Sequence, residues 1–164
     1  MTREAGAKNN NTTLAPVTDP LTAPFWDAAS KGRLVIQRCQ ACGELRWPPL
    51  VGCPECHRRD ATWDEVRPTG TIWSFVVYHR AFAAELKDEI PYTVAMVQLD
   101  DGPYLVGRLQ DAEDAEDAGR PPVIGDRVTA VFTETDGVPS VRWRAVSTTT
   151  ADSTTNGDNS NGKA

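Results

Sequence analysis

The sequence lacks a run of eighteen apolar residues, and its first fourteen residues are mostly polar and contain no apolar stretch. A membrane-spanning helix requires such a run, and a secretory signal requires an apolar segment behind a basic start. We therefore expect neither a membrane span nor a secretory signal, and we expect a cytoplasmic protein.

Histidines and catalytic signatures are also scarce. The two histidines, His57 and His79, lie in no recognisable catalytic motif. The sequence contains no glycine-rich phosphate loop, no H-E-x-x-H and no G-x-S-x-G. Asp100 and Asp101 form an acidic pair at a predicted turn, where carboxylates are normally solvated. Catalysis by this chain alone is therefore not expected.

Four cysteines form two C-x2-C pairs that are separated by ten residues. They are Cys39, Cys42, Cys53 and Cys56. Each pair can form a tight turn that directs two thiolates at one point, and Gly43 and Pro54 suit such turns. Four thiolates in a tetrahedral array make a closed structural Zn²⁺ site, with an iron centre of rubredoxin type as the chemical alternative. Because the metal uses all four thiols, none remains as a nucleophile.

His57 directly follows the last cysteine and could replace a cysteine as a metal ligand. Four cysteines already complete a tetrahedral set. We therefore interpret His57 as an exposed loop residue.

Composition divides the chain into four segments. Residues 1–20 and 147–164 are polar and cannot bury enough apolar surface to order, which predicts a disordered arm and a disordered tail. Residues 21–67 contain a predicted short helix, Ala23 to Lys31, followed by the cysteines. Residues 68–146 alternate short β-rich runs with turn residues.

Five candidate strands in the last of these segments fit a small closed barrel of the OB-fold type, although another β-barrel would have the same strand count. The candidates are Ile72–Tyr78, Tyr92–Leu99, Tyr104–Leu109, Arg127–Phe132 and Val141–Val146. Alternation along the first strand predicts Trp73 and Phe75 on one face. It predicts Ile72, Val76 and Tyr78 on the other face.

A ligand-binding loop is one interpretation of the residues that end the first barrel strand. Aromatic, imidazole and basic groups together could face an anionic or acyl ligand. The candidates are Tyr78, His79, Arg80 and Phe82. In the alternative interpretation, the aromatic side chains pack on the core while His79 and Arg80 face water.

The order of these features resembles the acyl-CoA-associated family that combines an N-terminal helix, a rubredoxin-like zinc ribbon and a C-terminal OB-fold. The resemblance covers about residues 24–146, and the acidic stretch Asp111–Asp117 departs from it. Besides the cysteine pairs, the matching segments are Phe25-Trp26, Gly32-Arg33-Leu34, Trp47-Pro48-Pro49, Gly70-Thr71-Ile72, Pro91-Tyr92-Thr93-Val94-Ala95, Leu99-Asp100-Asp101-Gly102-Pro103 and Ile124-Gly125-Asp126-Arg127-Val128.

The resemblance implies a mainly β protein that serves as a non-catalytic accessory subunit of a thiolase-like enzyme complex. In this family the thiolase-fold subunit carries the catalytic groups, and the small subunit helps to shape or connect acyl-CoA sites. The implied complexes are thiolases, steroid side-chain aldolases, acyltransferases or hydroxymethylglutaryl-CoA-forming assemblies. Zn²⁺ would be structural, and acyl-CoA would be a ligand of the hetero-oligomer.

A nucleic-acid-binding module is the alternative function, because zinc ribbons and OB-folds also bind nucleic acids. The net charge of −6 and the lack of a basic stripe interleaved with aromatic residues weigh against it. We therefore expect neither nucleic acid nor membrane as a partner. Contact with a partner subunit is expected at the helix bearing Phe25 and Trp26, or at an apolar barrel face.

Overall fold

The computed structural model describes residues 19–110, 120–135 and 138–146. The predicted tail, most of the predicted arm, the acidic stretch Asp111–Asp117 and the Asp136-Gly137 turn lie outside these ranges. Within them, no helix is long and apolar enough to cross a membrane.

Helix α1 (Ala23–Ala29) is slightly shorter than predicted. Pro24 stands in its first turn, where a missing N–H costs no helical hydrogen bond. Gly32 follows the helix with a φ of 71°, a left-handed conformation that ends helices at little cost to glycine. The propensity of seven residues cannot hold a helix in water, so its stability must come from packing.

That packing buries one aromatic residue of α1, Phe25, and half-buries the other, Trp26. Phe25 is buried, and its ring lies 4.9 Å from that of Trp26 and 4.2 Å from that of Trp47, measured between centroids. Trp26 also packs against the core. The helix contacts one strand of the ribbon and the last strand of the barrel. Phe25 fills the junction between the two parts, while Trp26 stays half-buried, and the expected contact of this helix with a partner subunit stays a prediction.

The ribbon contains an antiparallel sheet of three strands in the order β2-β1-β3. They are β1 (Val35–Cys39), β2 (Leu45–Arg46) and β3 (Ala61–Glu65). A salt bridge crosses the sheet, with 2.5 Å between Arg38 Nε and Asp64 Oδ2. This hydrogen bond from Arg38 lowers the pKa of the Asp64 carboxyl.

The five predicted barrel strands all occur, and they close in the order β4-β5-β6-β8-β7. Of the strand pairings in the described part of the barrel, the one between β6 and β8 is parallel and the others are antiparallel. The strands are β4 (Thr69–Tyr78), β5 (Tyr92–Leu99), β6 (Tyr104–Leu109), β7 (Arg127–Thr135) and β8 (Val138–Ala145). The predicted fold class, mainly β with one short helix and a five-stranded barrel, is confirmed.

The predicted alternation along β4 is wrong beyond Trp73. The register shifts between Ile72, which pairs with Val97, and Ser74, which pairs with Met96. Such a β-bulge inserts one unpaired residue, so every later side chain changes face. Phe75 therefore packs into the core with Ile72, whereas Trp73 is 56% exposed.

One hydrophobic core extends through the ribbon and the barrel. Ile36 of β1, with Leu34 and Val66 at the ends of the ribbon sheet, belongs to the same cluster as Val97 and Trp143 of the barrel. The boundary that we predict between residues 67 and 68 thus separates two sequence patterns, while the buried side chains on either side are in contact.

Arginines hold both aspartates of the β5–β6 turn, so the expected solvated role is wrong. The Arg127 guanidinium donates to both Asp100 carboxylate oxygens at 2.6 Å. The Thr69 hydroxyl donates to the same carboxylate at 2.5 Å. Arg67 donates to Asp101 through its backbone N–H at 2.7 Å and its Nε at 2.8 Å. These bonds tie the linker, the turn and β7 together.

We expect Asp100→Asn to destabilise the protein at pH 7 by about 1–3 kcal/mol, because a charge-assisted bidentate pair is lost. The Arg127 hydrogen bonds hold the pKa of Asp100 far below its usual range. A lowered folded-state pKa adds stability above the ordinary value, and that stability is lost as the pH falls further. The difference from wild type should therefore shrink below about pH 4.

Denaturant unfolding from pH 7 to pH 3 measures this difference. Asp60→Asn is the matched control, since Asp60 is exposed and its carboxylate has no ion pair among the described residues. A difference between Asp100→Asn and wild type that stays constant across this range would contradict the assignment.

Gly70 permits the close approach of β4 to β5. A Cβ at this position would lie 2.3 Å from the Gln98 carbonyl oxygen and 2.6 Å from Val97 Cγ1. The first of these atoms is backbone, so the two strands would have to separate. We expect Gly70→Ala to cost about 2 kcal/mol, or a fall in Tm of roughly 4–8 °C in thermal unfolding. Gly52→Ala should leave Tm nearly unchanged, because a Cβ there meets nothing within 4 Å.

Candidate metal centre

The four predicted thiols converge on one point at the end of the ribbon sheet. All four Sγ atoms lie within 4.8 Å of one another. The Sγ atoms of Cys39 and Cys56 are 3.5 Å apart, and those of Cys42 and Cys53 are 3.6 Å apart. A tetrahedral zinc site with Zn–S bonds of about 2.3 Å separates its sulfurs by roughly 3.8 Å. The observed spacing fits a metal ion of this kind.

The two cysteine pairs have the same local conformation. The Gly43 N–H donates to the Cys39 carbonyl, and the His57 N–H donates to the Cys53 carbonyl, both at 2.9 Å. The φ angles of Gly43 and His57 are 79° and 61°. The counterpart of Gly43 is therefore His57 rather than Pro54, whose ring cannot adopt a positive φ. His57 is exposed, as expected.

Backbone N–H groups favour the thiolate form of the first cysteine in each pair. The Cys42 N–H contributes most to lowering the pKa of Cys39, to about 6. The Cys56 N–H is likewise the largest cause of the lowered pKa of Cys53. A metal accepts the deprotonated thiol. These donors therefore prepare the pair of buried thiols for metal binding.

The remaining thiols show why a cation is needed. The Glu44 N–H also favours the Cys42 thiolate, but desolvation within the cluster and the neighbouring thiols outweigh it and raise the pKa of Cys42 to about 12. Like charges at these distances disfavour one another. A divalent cation removes this penalty, so the donor set is chemically suited to Zn²⁺.

A second anchor holds the segment between the pairs. The Gln37 Oε1 atom accepts hydrogen bonds from Arg46 Nε at 2.6 Å and from the Leu50 N–H at 2.9 Å. Gln37 and Arg46 are both 5% exposed. No pattern in the sequence indicated this pair, because a glutamine in an otherwise apolar strand has no characteristic motif.

The structure only partly gathers the predicted ligand residues Tyr78, His79, Arg80 and Phe82. The Tyr78 ring contacts Phe82, with 5.6 Å between centroids, and stacks on Tyr92 at 5.0 Å. Phe82 is nevertheless 71% exposed, so it does not pack on the core. His79 and Arg80 are exposed and take part in neither ring contact.

The cavity of this region lies at the other end of the same loop. It has a volume of about 810 Å³ and none of the four predicted residues lines it. Its walls include Ile90, Tyr92, Arg108 and Arg142. Sequence reasoning missed the two arginines, although each is a cation within a predicted strand, because strand pairing alone brings them together.

Apolar side chains cover the outer side of β4, β5 and β6. This surface, which we call the β4–β6 face, consists of Trp73, Val76, Met96, Tyr104 and Val106, all of them exposed. The Trp73 and Tyr104 rings meet edge to face, with 5.4 Å between centroids. Pairing of Met96 with Val106 makes the face continuous between two of the strands. The bulge at Trp73 adds the third strand to it.

Comparison with known proteins assigns both parts of the chain to one family. Residues 26–61 match the family model of the rubredoxin-like zinc ribbon domain of ChsH2. Residues 63–133 match the model of its C-terminal OB-fold domain. The four-cysteine cluster and the zinc ribbon match together support a structural zinc ion.

Similar proteins include a "probable enoyl-CoA hydratase alpha subunit" of Thermomonospora curvata, 43% identical over 104 residues, 61% of this chain and 31% of that protein. A "DUF35 domain-containing scaffold protein" of Methanocaldococcus jannaschii is 31% identical over 101 residues, 60% of this chain and 67% of that protein. The chain thus spans about a third of the first relative and two thirds of the second.

A solved structure entitled "Ltp2-ChsH2(DUF35) aldolase" superposes with a TM-score of 0.69 and 33% sequence identity. The match covers 79% of this chain and 98% of that one. The zinc ribbon and the OB-fold barrel therefore match the same family in sequence, and the chain matches it in structure. The chain belongs to the ChsH2 (DUF35) family of proteins that join a rubredoxin-like zinc ribbon to an OB-fold.

Proposed function

We propose that the chain is a non-catalytic accessory subunit of a thiolase-like enzyme complex acting on acyl-CoA, where it helps to shape or connect the acyl-CoA site. The β4–β6 face is the observation that carries this proposal. Trp73 and Val106 are each 56% exposed, and Met96 lies between their strands. A contiguous apolar surface of this kind usually marks a site of protein contact.

The chemistry of the described residues supports an accessory role. Every cysteine belongs to the metal cluster, so the chain offers no thiol for acyl transfer. His79 is exposed in a loop and has no carboxylate partner in the described part of the chain. The reaction would therefore require catalytic groups of another subunit.

The names of the similar proteins support the same proposal. One is a subunit of an enoyl-CoA hydratase, one is a scaffold protein, and one is part of an aldolase that combines Ltp2 with ChsH2. We extend to this chain what these names share, which is membership of an assembly. The thiolase-like partner and the acyl-CoA ligand are our proposal for this particular assembly.

The β4–β6 face is poorly suited to nucleic acid. OB-folds that bind single strands combine aromatic residues with a positively charged groove. The three strands of this face contain one cationic residue, Arg108. The Glu89 carboxylate compensates that single charge, so the face lacks a positively charged groove. A protein partner therefore accounts for the surface better.

The predicted ligand residues would lie beside such a partner. Strand β4 ends at Tyr78, so the exposed Phe82, which contacts Tyr78, lies near one end of the β4–β6 face. We propose that Tyr78, His79, Arg80 and Phe82 border the path of the acyl-CoA in the complex. Arg80 would then meet an anionic group of the ligand.

We propose further that Cys39, Cys42, Cys53 and Cys56 bind one structural Zn²⁺ per chain. Cys42→Ser should remove most of the zinc and lower Tm by about 10 °C or more, because the metal joins the two cysteine turns at the end of the ribbon sheet. Elemental analysis and thermal unfolding of the purified variant measure both effects.

His57→Asn is the matched control for this substitution. Asparagine tolerates the positive φ at residue 57, so zinc content and Tm should stay near those of wild type. Retention of full zinc by the Cys42→Ser variant, or its loss from His57→Asn, would contradict four-cysteine ligation. Iron in place of zinc would correct the metal and leave the ligand set intact.

A tagged copy of the chain expressed in its native host should co-purify with a thiolase-like subunit. The complex should turn over acyl-CoA, whereas neither subunit should do so alone. Val106→Asp should weaken association at least about tenfold, because it places a charge within the β4–β6 face. Association can be measured by interferometry with the purified partner.

Val51→Asp is the control, since Val51 is 64% exposed and lies in the ribbon. A loss of binding with Val51→Asp but not with Val106→Asp would move the interface to the ribbon. Turnover of acyl-CoA by the isolated chain would overturn the accessory role.

A further inference from the structure

The cavity of about 810 Å³ opens where the ends of β6 and β8 face the segments before β5 and before β7. This volume lies in the range that accommodates small organic ligands. Ile90, Pro91 and Pro122 form apolar parts of the wall. The cavity therefore combines an apolar surface with the two arginines described above.

Strand pairing places the two arginines next to each other. Arg108 and Arg142 are register partners in the parallel contact between β6 and β8. Like charges in such positions destabilise a sheet. Glu89 compensates Arg108 through an ion pair of 2.8 Å. Arg142 is half-buried, and it forms no ion pair or side-chain hydrogen bond with any residue of the described ranges.

The other charges at the cavity do not change this imbalance. Arg120 and Asp126 form an ion pair of 2.9 Å with each other. Asp88 also borders the cavity, but it is exposed and forms no ion pair within the described part of the chain. Of the three arginines that line the cavity, Arg142 is thus the one that forms no ion pair within the described ranges.

Buried polar atoms without partners concentrate in the same wall. Arg108 Nε and Gln110 Oε1 are buried and have no hydrogen-bond partner among the described residues. Both residues line the cavity. Each unsatisfied buried atom costs about 1–3 kcal/mol. An oxyanion would satisfy the Arg108 Nε–H, which lies beside an uncompensated guanidinium, whereas the Gln110 Oε1 acceptor would need a donor.

We propose that this cavity binds an organic oxyanion, a carboxylate or phosphate carried on an apolar body. Arg108 and Arg142 hold the head group, whose geometry matches the guanidinium fork. The apolar body lies against Ile90 and Pro122. The apolar body need not be aromatic. Tyr78 and Arg108 already contact the Tyr92 ring, so this ring does not stack on the ligand.

Calorimetric titration of the zinc-loaded full chain with octanoate, octyl phosphate and octanol, all below their micelle concentrations, tests this site. At least one anion should bind at least about tenfold more tightly than octanol, which shares the apolar body and lacks the charge. The preference between the two anions identifies the head group. The isolated chain suffices, so the result is independent of the proposed partner.

Arg142→Gln should weaken binding of the preferred anion at least about tenfold, because it removes the uncompensated charge. Arg144→Gln is the control from the same strand, since Arg144 does not line the cavity. Arg142→Lys keeps the charge without the fork and should give an intermediate affinity. Zinc content and Tm of each variant show whether it is folded.

Three results would overturn the proposal. They are the absence of binding by both anions, equal binding of octanol, and unchanged affinity in folded Arg142→Gln. If Arg142→Gln fails to fold, Arg142→Lys decides, because wild-type affinity in that variant would exclude recognition by the guanidinium fork.

Discussion

The convergence of four thiols within 4.8 Å is the constraint on which the ribbon depends. Without a cation, the neighbouring thiols oppose ionisation, which the raised pKa of Cys42 expresses. A bound cation joins the two cysteine pairs. It thereby links Cys39, at the end of β1, to the loop that returns to β3. A sheet in which one strand has two residues could not hold that loop by itself.

This constraint extends to the barrel through the shared core. The ribbon sheet holds Leu34 and Ile36 against the same cluster that contains Val97 and Trp143. Close contacts that require glycine keep the barrel compact, and a Cβ at Gly107 would lie 2.8 Å from Trp143 Nε1. The metal therefore stabilises more than the loop that carries its ligands. Disturbing the ribbon sheet would expose part of the core that the ribbon shares with the barrel.

Local patterns predicted most of the fold and the metal ligands from the sequence. Alternating apolar residues and turn signals identified the five barrel strands, and the C-x2-C spacing identified the thiols before any geometry was known. The errors concern features that arise from pairing between distant segments. The bulge at Trp73 and the ion pairs of Asp100 and Asp101 depend on neighbours that are distant in sequence.

The same distinction applies to the two ligand hypotheses. The predicted ligand loop, residues 78–82, consists of residues that are adjacent in the sequence. Arg108 and Arg142 are distant in the sequence, and the parallel pairing of β6 and β8 brings them together. The two regions meet at Tyr92, whose ring contacts both Tyr78 and the Arg108 guanidinium. Replacing Arg108 would therefore disturb both regions at once. Among the described residues the cation–π contact with Tyr92 is made by Arg108, so substitution of Arg142 separates anion binding in the cavity from any role of the loop.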